Sequence, residues 1–142
     1  MEAYLHIHPG DGPPNISGAT PFKAVVVVEA DVSSEWRAQI SEWLVRAGCR
    51  YMMAWGKNCK AWHTSIDDAN LTIFNCQEVP DDDFVITTWH DNETLEEVFW
   101  FSHSCAMHPS LELAKTYIVH VSHNDLSIEM LRAFREAKGM ID

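Results

Sequence analysis

Ala24-Val25-Val26-Val27-Val28 is an unbroken apolar run with no polar position to turn toward water. A strand with one wet face alternates apolar and polar residues, so a run of this kind calls for cover on both sides. The chain must therefore place helices above and below a sheet that contains this segment.

The following sequence supplies them. Ser33 or Ser34 can cap a helix whose apolar residues Trp36, Ile40, Trp43, Leu44 and Ala47 recur at helical spacing, and Gly48 stands at its C-cap. A second strand, about Cys49 to Trp55, ends at the turn Gly56-Lys57-Asn58. Ser65 with Asp68 resembles a capping box and predicts a helix with Ile66, Ala69, Asn70, Ile73 and Phe74 on one face. Pro80-Asp81-Asp82-Asp83 interrupts the chain before a third strand, Phe84 to Trp89. Thr94 and Glu97 form a capping box for a helix using Leu95, Val98, Phe99 and Ala106. Tyr117 to Val121 is a fourth strand, and Asn124 or Asp125 caps a last helix carrying Ile128, Leu131 and Phe134.

This β-α-β-α-β-α-β-α order predicts a three-layer α/β/α sandwich with a mainly parallel sheet of four or more strands, flavodoxin-like or Rossmann-like. Residues 23–142 read as a single α/β domain. Residues 1–22 read as an irregular N-terminal segment in which Tyr4 to His8 alternates enough for a short edge strand.

Several classes fall away. Neither G-x-G-x-x-G nor a P-loop follows the first apolar run, where Glu29-Ala30-Asp31-Val32-Ser33-Ser34 stands instead. No cofactor is expected. Cys49, Cys59, Cys76 and Cys105 form no C-x-x-C pair, which favours free thiols over a structural zinc site or a disulfide framework. The first residues lack a basic and apolar leader, and no apolar run approaches the ~20 residues of a membrane span. A cytoplasmic location is the expectation.

Charge narrows the partners. Between Ala61 and Ala114 there are eleven carboxylates and no lysine or arginine, while the rest of the chain balances ten acidic against ten basic residues. Such a field repels nucleic acid and anionic membrane and attracts a basic protein. Helix dipoles account for Asp67, Asp68, Glu93, Glu96 and Glu97 near first turns. They leave Glu78, Asp81, Asp82 and Asp83 as the predicted partner-binding residues.

In parallel α/β sheets, ligands bind outside the carboxyl ends of the strands. Those ends carry Glu29 and Asp31, then Trp55, Lys57 and Asn58, then Trp89, His90 and Asp91, and last His120, Ser122, His123 and Asp125. Capping explains most of the Ser, Asp, Asn and Thr residues there, and it explains histidine poorly. His90, Asp91, His123 and Asp31 are therefore the acid–base candidates, with Trp55, Lys57, Asn58, Trp89 and Asp125 lining a ligand edge. His90, Asp91, His123 and Asp125 have metal-type donors and converge on a metal only if the third and fourth strands are neighbours. His6-x-His8 places two imidazoles on one strand face. Cys105 and His108 are three apart on a helical pattern, where a packed core cysteine is expected. Trp36 and Trp43 share the buried face of the first helix, and Trp55, Trp62 and Trp89 fall near the ligand edge.

From the second strand onward the chain resembles a family of small bacterial proteins known only as a domain of unknown function. Trp55-Gly56-Lys57-Asn58-Cys59, Trp62 with Ser65 and Asp67, Thr87-Thr88-Trp89-His90-Asp91, Leu95-Glu96-Glu97 and His108-Pro109 carry the resemblance. It implies a small stand-alone protein and supplies no activity. The charge pattern favours an acidic protein-binding module, immunity- or antitoxin-like, that docks a basic partner. The alternative is a small-ligand or metal-binding enzyme or sensor at the carboxyl edge of the sheet.

Overall fold

The apolar run becomes the central strand. In the computed structural model, which describes residues 1–16 and 20–140, five strands form one sheet in the order β1-β5-β2-β3-β4. They are β1 (Glu2–Ile7), β2 (Phe22–Val28), β3 (Cys49–Gly56), β4 (Ile86–His90) and β5 (Lys115–Val121), and every neighbouring pair is parallel. The helices are α1 (Ser34–Ala47), α2 (Cys59–Ile73), α3 (Leu95–Ser104) and α4 (Ser127–Ala137).

Strand periodicity divides the run between two cores. Ala24, Val26 and Val28 pack with Trp36, Ile40 and Leu44 of α1 and Trp62 and Ile66 of α2. Val25 and Val27 pack with Val98 and Phe99 of α3 and Met130 and Phe134 of α4. The result is the predicted three-layer sandwich of flavodoxin-like or Rossmann-like type. Among the described residues, no helix is long and apolar enough to cross a membrane. The four cysteines are free thiols, and burial pushes that of Cys49 up to about 12.

Several elements differ from expectation. The N-terminal edge strand is present but runs Glu2–Ile7 rather than Tyr4 to His8, registered against Thr116 to Val121 of β5. The Arg135 guanidinium on α4 ties this strand down at 2.6 Å from Glu2, and that hydrogen bond holds the Glu2 carboxyl below its usual range. Helix α2 starts at Cys59 rather than near Ser65, because Asn58 in the left-handed region turns the chain directly into it. Ser65 lies inside the helix, and its hydroxyl meets Ser41 of α1 at 2.8 Å, so it is a helix–helix contact and not a cap. The Thr94–Glu97 capping box is present as expected. The last helix has Leu126 at its N-cap, with the Asp125 carboxylate accepting from the Ser127 amide. Ile128 faces solvent at 69% exposure, and Met130 takes its place in the core.

Gly56 ends β3 at φ 102°, and a Cβ placed there would lie 2.1 Å from the Val28 carbonyl oxygen. The same carbonyl accepts from the Lys57 amide at 2.8 Å, so the carboxyl ends of β2 and β3 are locked together at this point. Gly48, at φ 114°, has nothing closer than 3.5 Å. Gly56→Ala is expected to cost ~2 kcal/mol or more in urea unfolding, against ~1 kcal/mol for Gly48→Ala. Equal costs would show that the close approach to Val28 does not constrain the fold.

Candidate functional site

The strand order creates one distinctive place at the carboxyl edge. The chain steps from β2 through β3 to β4 on one side, and α3 then returns it to β5 on the other side of β2. The helix after β2 packs on one face and the helix after β5 on the opposite face. The connections therefore part between the ends of β2 and β5, which is where parallel sheets accept ligands.

Glu29 and His120 meet at that point through a hydrogen bond between the carboxylate and Nε2. His120 is fully buried, whereas 43% of the Glu29 side chain remains exposed. A carboxylate only accepts, so His120 carries its proton on Nε2 and leaves Nδ1 as an acceptor. Tyr4 of β1 donates its hydroxyl to that Nδ1 at 2.7 Å and in turn accepts from the Leu126 amide at 3.0 Å. Burial raises the Tyr4 pKa, and the nearby carboxylates of Asp125, Glu29 and Glu129 add to the shift. Tyr4, His120 and Glu29 thus form a relay with a fixed direction, ending on a carboxylate open to water.

More histidines gather beside it. His6 lies opposite His120 in the β1–β5 register and donates Nε2–H to the Ser122 carbonyl at 2.9 Å. His8 donates Nδ1–H to the Pro9 carbonyl, so its Nε2 is an acceptor facing His123 Nδ1 at 3.3 Å. The hydroxyl of Ser122 donates to the Asn124 carbonyl at 2.6 Å. Among the described residues, no three or more His, Cys, Asp or Glu side chains are grouped to hold a metal ion.

The condition for His90 and His123 to converge, that their strands be neighbours, is not met. Strands β4 and β5 are separated by β2 and β3, so the metal donor set His90, Asp91, His123 and Asp125 is split across the sheet. His90 is buried, bonded to Thr88 at 2.8 Å and to Glu93 at 3.2 Å, with Phe101 against its ring. Asp91 is exposed in the following turn. Asp31 stands in solvent, paired with Lys57 at 3.6 Å, and Asn58 shapes the start of α2. Trp55 is half-buried and donates Nε1–H to the Glu93 carbonyl at 2.8 Å. Trp62 is fully buried in the core, away from any ligand edge. Cys105 is exposed and lies beyond α3, while His108 donates to the Phe84 carbonyl at 2.8 Å, so they form no pair.

The acidic segment has its own geometry. Asp81, Asp82 and Asp83 make one turn of 3-10 helix ahead of β4. Buried Asn70 brackets that turn, donating to the Asp83 carbonyl and accepting from the Val85 amide, each at 3.0 Å. Arg50 donates to the Asp82 carbonyl at 3.1 Å and pairs with Asp83 at 3.4 Å, which leaves Glu78, Asp81 and Asp82 as the freely exposed carboxylates. On β4 itself, Thr87 accepts from His63 at 2.6 Å and donates to Asp67 at 2.9 Å, and Trp89 lies 4.5 Å from the His63 ring with Lys60 above it.

Sequence reasoning named Glu29 and His120 only as part of the rim and gave Tyr4 no role. The usable signal is strand parity: Tyr4 and His6 share one face of β1 with His8 following at the same spacing, as Ser122 follows His120 of β5.

The chain belongs to the family described as a domain of unknown function, DUF7684, which matches residues 2–137. No curated protein and no solved structure matches it.

Tyr4→Phe is expected to destabilise the protein by ~1–3 kcal/mol, because it strands the Leu126 amide and His120 Nδ1. Nitrogen-15 NMR of the wild-type ring at neutral pH should show His120 protonated on Nε2. Protonation on Nδ1 would reverse the relay.

Proposed function

We propose that this member of the DUF7684 family is an acidic binding module that docks a basic protein along β4. One observation carries the proposal. Strand β4 ends the sheet, so one side of its backbone has no partner strand among the described residues. The elements built from residues 61–114, which carry the whole net charge of −11, are α2, the aspartate turn, β4 and α3. The molecule is thus divided into an electrically balanced half around β1, β5 and α1 and an acidic half around the open edge.

An unpaired edge invites another strand, and charge decides which strand is accepted. A second copy of the same edge would bring Glu78, Asp81, Asp82 and Asp91 against their own likenesses. Like charges then oppose self-pairing, and a lysine- or arginine-rich segment is favoured. Phe84 and Trp89, 49% and 39% exposed, supply apolar anchors on the same strand and its approach. An immunity- or antitoxin-like protein that covers a cationic surface fits this chemistry.

A second reading rests on the relay. A water-exposed Glu29 backed by His120 at the parting of the connections suits a small ligand that offers a hydroxyl or amine proton. Thermal shift with simple polyols and amines tests it: a rise in Tm in wild type that Glu29→Gln abolishes supports it, and equal rises remove Glu29 from any site.

Docking is tested by affinity capture at ~50 mM salt and elution toward ~300 mM. A basic partner should elute as salt rises and bind at least ~10-fold more weakly to a Glu78→Gln/Asp81→Asn/Asp82→Asn variant. Glu35→Gln/Glu42→Gln on α1 should leave binding unchanged, and hydrogen exchange at the β4 amides should slow in the complex. A partner indifferent to salt and to the triple variant would overturn the proposal.

A further inference from the structure

At the amino ends of the strands, away from the Glu29–His120 relay, lies a hollow of about 430 Å³. Lys23 of β2, His103 of α3 and Met107, Ser110, Glu112 and Leu113 of the α3–β5 connection line it. That volume suits a small molecule.

Lys23 differs from the other four lysines. Lys57 pairs with Asp31, Lys60 lies over Trp89, Lys115 lies over Tyr117, and Lys138 is exposed. Lys23 is half-buried and forms no ion pair among the described residues. Its Nζ donates to one protein acceptor, the Ser102 carbonyl in the last turn of α3, at 2.5 Å. Desolvation by burial lowers its pKa. An amine that loses its proton more readily is a nucleophile at a pH where ordinary lysines are spent as ammonium. The adjacent Ser102 hydroxyl is fully buried with no hydrogen-bond partner. His103, which also lines the hollow, donates Nε2–H to the Phe134 carbonyl at 2.7 Å, which makes Nδ1 its acceptor nitrogen.

We propose that Lys23 is a nucleophilic amine in this hollow and takes up small aldehydes as a Schiff base. The neutral nitrogen attacks the carbonyl carbon, and a C–N bond forms as the carbonyl π bond breaks. The nitrogen gives up both protons, the oxygen receives both, and water leaves as the imine forms. No oxidant or reductant enters. His103, lining the same hollow, supplies an acceptor nitrogen to carry a proton from nitrogen to oxygen. Ala106, Met107, Pro109, Leu111 and Leu113 make the lining largely apolar, which selects a short hydrocarbon chain on the aldehyde over a charged one.

Butanal with cyanoborohydride, which reduces the imine to a stable secondary amine, tests this on the full chain by mass spectrometry. Lys23 should be alkylated ~10-fold faster than Lys57 and Lys138 at pH 7.5, with its rate profile midpoint at lower pH. Lys23→Arg keeps a donor for the Ser102 carbonyl, so it should retain the wild-type Tm while abolishing the fast phase. Alkylation of Lys23 at or below the rate of the exposed lysines would overturn the proposal and leave it as a cap of α3. A fast phase that persists in Lys23→Arg would overturn it equally.

Discussion

Burial of β2 on both faces is the constraint on which the rest depends. Each of Val25, Val26 and Val27 is fully buried, so the strand needs helices on two sides and strands on two edges at once. Parallel neighbours with right-handed crossovers meet that demand, and they require that the chain turn back past β2 to reach β5. The place where it turns back fixes which residues face each other at the carboxyl edge. Glu29 and His120 are brought together by the burial of five apolar residues rather than by any local motif.

The layers were legible because their signals are local. The unbroken apolar run, the Thr94–Glu97 box and Gly48 at the C-cap of α1 each fix a conformation within a few residues, and the structure contains all three. The site was not legible, because its members are joined by strand order. His90 and His123 appear equivalent in a list of strand ends, yet two strands stand between them. Tyr4 and His120 lie 116 residues apart and touch. Nothing in spacing or propensity reports that β1 pairs with β5. The displaced start of α2 has a different cause: Asn58 adopts a left-handed conformation after Gly56, a backbone choice that side-chain capping rules do not describe.

The chemistry of the molecule is partitioned. The balanced half holds the relay, with four of the eight histidines on β1, β5 and the segments that follow them. The acidic half holds an edge strand that charge protects from its own copies. Arg50 and Lys60 stand at the border, where one steadies the aspartate turn and the other covers Trp89. A surface that repels itself can stay exposed without aggregating, which an open parallel edge otherwise risks. In the proposed docking, the carboxylates that oppose self-pairing would also select for a basic segment.

The relay also has a consequence for how the protein matures. Tyr4 emerges from the ribosome long before His120, and among the described residues β1 pairs with β5 alone. The first strand must wait, unpaired, until β2 to β5 have condensed, because closing so long a loop repays its entropy only at the end. Assembly of the Tyr4–His120–Glu29 chain is thus a late folding event. A partly folded molecule has the cores and the acidic edge before it has the relay.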